Sequence, residues 1–163
     1  MSQITEAIRQ SLNVLCDRGG VIGGDVALWL VLHNEPDVPF VQLGLIEVFV
    51  PAQFDASGID LSSNQIQLAL WPVSAQTPFE TIAHAAVQLE HWKVLNPAHL
   101  LVRLLDLHSE QREPHCAQAL ADAISAVGIC LGETQRVLAF EAMGAEHRKR
   151  FSQIARQFEQ THY

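Results

Sequence analysis

Eight histidines occur in this chain of 163 residues, and several share short stretches with carboxylates, so metal binding and acid–base catalysis are the first chemistry to weigh. Glu80, His84 and His91 are spaced by four and seven, which on a helix gathers them on one side together with Gln88. His108, Glu110, Glu113, His115 and Cys116 fall within nine residues around Pro114, where a junction between helices could bring ligands together. Neither stretch has an established ligand spacing: H-E-x-x-H, a repeated Glu-x-x-His and C-x-x-C are all absent. A solvated polar face is the simpler account of the first stretch, and a surface turn of the second. Cys116 lies just inside an expected helix start, which suits a nucleophile, but His115 beside it points about 100° away around a helix and is poorly placed as its base. Asp55 and Asp60 flank Gly58 with nothing beyond proximity to pair them. G-x-S-x-G and Walker-type motifs are missing. The run Gly19-Gly20-Val21-Ile22-Gly23-Gly24 follows a helix and has no lysine, so it reads as a helix stop and turn rather than a phosphate cradle.

Residues suited to binding rather than bond chemistry stand out more clearly. Residues 65–71 alternate, with Ile66, Leu68 and Leu70 on the expected core side. That phase turns Gln65, Gln67 and Trp71 outward, and with Glu47 they form a candidate partner-binding patch on an acidic sheet. Toward the C-terminus Val137, Phe140, Gly144, His147, Phe151, Ile154 and Phe158 recur at steps of three and four, a heptad-like seam expected to mediate self-association. His147 within that seam would make the association respond to pH near neutrality.

These residues need elements to hold them. Ile4, Ile8, Leu12 and Leu15 line one face of a helix over 3–17, with Ser2 as its cap and Gly19 as its stop. The apolar run 25–33, the run 41–50 with its phase shift at Gly44, and the alternating 65–71 read as three strands joined by turn-rich linkers, an antiparallel meander. From Thr77-Pro78-Phe79-Glu80, a capping box, the rest reads as four helices. The first carries the stripe Ile82, Ala85, Ala86, Leu89 and Trp92, and the next two begin at Asn96-Pro97 and Pro114. The last spans 133–160. The expectation is thus a single α+β domain over 1–163, with a helix-plus-sheet half at 1–76 and a helical half at 77–163, the C-terminal helices packing on the sheet and on each other.

Composition narrows the partners. Net charge is −8, and between Arg18 and Lys93 there is no lysine or arginine but eight carboxylates, Asp25, Glu35, Asp37, Glu47, Asp55, Asp60, Glu80 and Glu90. From Ala98 onward seven Lys and Arg stand against eight Asp and Glu. Phosphate backbones need clustered cations, so nucleic acid is excluded as a partner, and His147-Arg148-Lys149-Arg150 is offset by neighbouring Glu141 and Glu146. No apolar run reaches a membrane span, and Met1–Glu6 has no basic start of a secretory leader. Three widely spaced cysteines suit free thiols in a reducing cytoplasm. The leading expectation is a non-catalytic protein-binding, adaptor or chaperone-like module without a cofactor, homodimeric, whose partner is a basic or apolar protein segment. A metal-dependent or hydrolytic enzyme built on Glu80, His84, His91, His108 and His115 is the alternative, and a small-molecule sensor or carrier with an apolar pocket is the second.

Overall fold

A computed structural model describes residues 4–32, 46–62, 65–71 and 76–162. Among these the chain is α+β, as the sequence indicates, but it has seven helices and a five-stranded mixed sheet in place of a three-stranded antiparallel meander followed by four helices.

Helix α1, Glu6–Asp17, buries Leu12, Leu15 and Cys16. Its cap is Thr5, whose hydroxyl accepts from the Ile8 N–H, and Gly19 beyond its end takes φ of 100°, the left-handed stop a glycine allows. The expected cap Ser2 lies outside the described residues. Strand β1, Val21–Ile22, follows directly. The apolar run after it is helix α2, Gly24–Leu32, not a strand. A continuous apolar run fits a helix buried all round as well as it fits a buried strand, and the glycines ahead of it let the chain turn sharply enough to start one. Gly23 is part of that turn: a Cβ there would lie 2.9 Å from the Phe49 ring.

Strands β2, Ile46–Phe49, and β3, Ile66–Ala69, pair in parallel, with Glu47 opposite Gln67 and Val48 opposite Leu68. The loop between them is long enough for a crossover, so the strands need not form a hairpin. The proposed bend at Gly44 lies outside the described residues. Helix α3, Phe79–Ala85, is short, and its N-cap Pro78 makes no side-chain bond, so the capping box expected at Thr77 does not form. At Ala86 the backbone leaves the helix, with ψ of 146°. Val87–Leu89 (β4) and Trp92–Val94 (β5) then form an antiparallel hairpin where the stripe ending in Leu89 and Trp92 had implied more helix. The hairpin turn is Glu90-His91, with Glu90 at φ 54°; lacking Asn or Gly, it carries no sequence signature of the turn. The sheet order is β3-β2-β1-β5-β4, with β1 and β5 parallel.

The next two helices begin where expected. Asn96 caps α4, Pro97–Glu110, by accepting from the Ala98 N–H, and α5 runs Pro114–Cys130. The expected single helix over 133–160 is two, α6, Glu133–Ala142, and α7, Ala145–His162. Each starts on a glycine with a side chain three residues on reaching back: Gln135 Oε1 accepts from the Gly132 N–H at 3.0 Å, and His147 Nδ1 accepts from the Gly144 N–H at 3.0 Å. This is the returning half of a capping box. Gly144 is thus a helix start, not a seam position.

Val48 turns toward Leu15 of α1 across Gly20, where a Cβ would meet Val48 at 2.8 Å. Glu47 and Phe49 point to the other face, toward α4. There Arg103 donates from Nε and Nη2 to the two Glu47 oxygens at 3.1 and 2.8 Å, and its guanidinium lies 5.5 Å from the Phe49 ring centre. Helix α4 is buried over most of its length and packs against α2, α5, α6 and α7.

Arg103→Met therefore strands a buried carboxylate and is expected to cost about 3–5 kcal/mol in urea unfolding, while the double change Glu47→Leu/Arg103→Met recovers most of that loss. Equal stability of the single and double variants would contradict the pairing.

Candidate functional site

The sheet patch expected around Trp71 is largely covered. The alternation was in phase, since Trp71 shares a face with Glu47, Phe49 and Gln67, but at β2 and Trp71 that face is covered by α4. Trp71 is 8% exposed, 5.3 Å from Phe49 and 6.1 Å from His99 between ring centres, both edge-to-face. Glu47 is buried and bound to Arg103; only Gln65 and Gln67 meet solvent. Leu70, expected inward, is 65% exposed.

The polar groups under this layer are held in one protonation state. Burial pulls Arg103 downward in pKa, but the hydrogen-bonded Glu47 carboxylate outweighs it and holds the guanidinium above its ordinary value. Burial lowers His99 to about 4, and its Nδ1 has no hydrogen-bond partner among the described residues. The imidazole is therefore neutral at pH 7 and adds no positive charge beside Arg103.

The metal-candidate histidines do not converge. His84 sits exposed on α3 with Glu80, while His91 lies in the exposed turn of the β4–β5 hairpin rather than on the same helix. His108 Nδ1 accepts from Arg150 at 3.3 Å, and burial together with that cation lowers its pKa. His115 and Cys116 are exposed in the first turn of α5. Among the described residues no three His, Cys, Asp or Glu side chains come together as a metal site. Asp55 is engaged in a turn, its Oδ1 accepting from the Ser57 N–H at 2.9 Å, a bond that lowers its pKa.

The seam residues divide between interior and surface. His147 and Ile154 are buried in their own chain. His147 Nε2 donates to Asp106 Oδ1 of α4 at 2.8 Å, a tautomer fixed by the Gly144 N–H on Nδ1. Phe151 and Phe158 are half-buried, and the Phe151 ring comes within 3.1 Å of where a Cβ on Gly128 would stand. Val137 and Phe140, on α6, are 53% and 51% exposed, and Ile129 at the end of α5 is 55% exposed. Ala139, Ala142 and Met143 on the inner side of α6 are buried, so Val137 and Phe140 belong to its outer side.

Between α5 and α7 lies a crevice of about 530 Å³, floored by Ser125, Gly128, Phe151, Ala155 and Phe158, with Ile129 on its wall and Arg136 and Glu159 at its edge. A second recess of about 290 Å³ continues on the other side of Phe158, lined by Gln118, Asp122 and Gln157, and shares Ser125 with the first. Ser125 Oγ is buried and has no hydrogen-bond partner among the described residues. Because Arg136 borders the crevice, the exposed stripe of α6 adjoins it. Apolar walls, a few polar groups and an adjoining exposed apolar stripe are features of a surface that binds another protein. Sequence reasoning found Val137, Phe140, Phe151 and Phe158, but missed Ile129, which carries no pattern beyond its place at a helix end.

Comparison with known proteins gives no match: no family model, no curated protein and no solved structure is significantly similar to this chain. Among the described residues, no helix is long and apolar enough to cross a membrane.

The buried neutral His99 gives a pH dependence of definite sign. Between pH 6.5 and about 4 the unfolded chain takes up a proton that the folded chain resists, so stability falls as pH drops through that window. From pH 7 to 4.5 this group accounts for a loss of roughly 2–3 kcal/mol. In urea titrations at those two pH values, His99→Phe should lose less stability than the unmodified chain by about that amount. An identical loss would remove His99 as the cause.

Proposed function

We propose that this protein is a non-catalytic protein-binding module whose docking surface is the outer face of its C-terminal helices, the α5–α7 crevice together with the exposed stripe of α6. The observation that carries the reading is an apolar crevice walled by exposed Ile129 and edged by Arg136 of α6, the helix that also carries exposed Val137 and Phe140. Single exposed apolar side chains are ordinary, but a group of them beside a concave floor is the usual mark of a contact surface. The partner's contacting segment is apolar, and a helix laid with one side chain every three or four residues into the crevice fits its form. The acidic sheet half is not the docking surface in this reading, because Trp71 and Glu47 are used internally.

A photo-cross-linking residue placed at Ile129 or Phe140 of the full chain, expressed in its native host, should yield protein adducts, whereas the same residue at exposed Gln67 should not. Adducts from Gln67 alone, or from none of the three positions, would contradict the proposal.

A further inference from the structure

We infer that the occupant of this face is a second copy of the same chain, related to the first by a two-fold axis; the inference rests on the docking surface proposed above and names its partner. Three observations point to it. The first is shape. Arg136 of α6 edges the crevice between α5 and α7, and the half-exposed Val137 and Phe140 follow it on the same helix, so the helical face carries both apolar side chains to insert and a hole to receive them. A two-fold interface needs that arrangement, since each copy must offer what the other receives.

The second is the charge at the edge. Arg136 and Glu159 border the crevice, and Arg148, Glu133 and Glu141 stand on the same helices. Arg148 lies 5.9 Å from the Phe140 ring centre and donates to the Phe140 carbonyl at 2.8 Å. A segment of one charge sign would meet like charge on part of this rim. A second copy brings both signs, so that Arg136 of each can face Glu159 of the other.

The third is the charge of the whole chain. Two molecules of net charge −8 repel, and the repulsion is least where the approaching faces are balanced. The acidic excess falls in residues 19–92, whereas the chain from Ala98 carries seven cations against eight carboxylates. The helical face is therefore the one on which self-association is least opposed. A stable interface of standard size covers about 800 Å² on each partner, more than three half-exposed side chains and one crevice supply. The dimer is accordingly a weak one, in the micromolar range.

Sedimentation equilibrium of the full chain at about 150 mM salt, over about 1 to 300 µM, tests the inference. The unmodified chain should show a monomer–dimer equilibrium. Val137→Ser/Phe140→Ser should weaken it at least about tenfold with the circular dichroism spectrum unchanged. Arg136→Glu and Glu159→Arg alone should each weaken it several-fold, and the two together should restore it. A monomer at every concentration overturns the inference, and so does a dimer indifferent to all of these changes. Should the serine variant fail to fold, the charge reversals, made on exposed side chains, still decide. Cross-linking separates this failure from failure of the docking surface itself. A monomer that still yields adducts with another protein from position 140 keeps the surface and loses the second copy, whereas a monomer with no adducts loses both.

Discussion

The bidentate pair between Glu47 and Arg103 joins the two halves of this fold. No lysine or arginine occurs between Arg18 and Lys93, so the buried carboxylate on β2 has to take its countercharge from elsewhere in the chain. It takes it from α4, the helix on which α2, α5, α6 and α7 all pack. An isolated carboxylate in that layer would be strongly disfavoured, so correct seating of α4 and correct seating of β2 are one condition rather than two. The layer around the pair follows the same logic. Phe49 lies under the guanidinium, Trp71 packs edge-on to Phe49, and His99 packs edge-on to Trp71 as a neutral imidazole.

A second polar tie, from Asp106 on the same helix to His147, fixes where α7 begins. His147 serves two neighbours at once, accepting from the backbone of Gly144 and donating to Asp106. The ring thus ends one helix direction and starts another while fastening the junction to α4. Because α4 packs on the inner sides of α6 and α7, the exposed Val137 and Phe140 are left on the outer side of α6. In the proposed reading the acidic sheet half and α4 supply a frame, and the C-terminal helices carry the docking face.

How much of this could be read from the residues depends on how local each signal is. Caps and proline starts are local, and Asn96-Pro97 and Pro114 located the starts of α4 and α5. The run 25–33 was not decidable, since an element buried on every side erases the periodicity that separates helix from strand. The hairpin at 87–94 was hidden because Glu90 adopts a positive φ without the usual turn residues, and its apolar positions also fit a helical stripe. For Trp71 the alternation had the right phase and the wrong consequence. Sequence gives which face a side chain shares, but not whether a distant helix covers that face. The break at Gly144 did have a signal, a glycine followed three residues later by an acceptor, repeated at Gly132 and Gln135. Of the seam residues, His147 and Ile154 proved to be interior, Phe151 and Phe158 half-buried, Val137 and Phe140 exposed and Gly144 a helix start, a distinction that only the packing of the helices makes.

The central claim, that the outer face of α5 to α7 is where this chain meets a second copy of itself, is most directly tested by hydrogen–deuterium exchange across a dilution series of the unmodified protein. Amides in 128–142 and 151–159 should exchange faster as the protein is diluted, with 46–49 and 66–69 unchanged. A dilution response confined to the sheet strands, or none anywhere in the chain, would contradict the account.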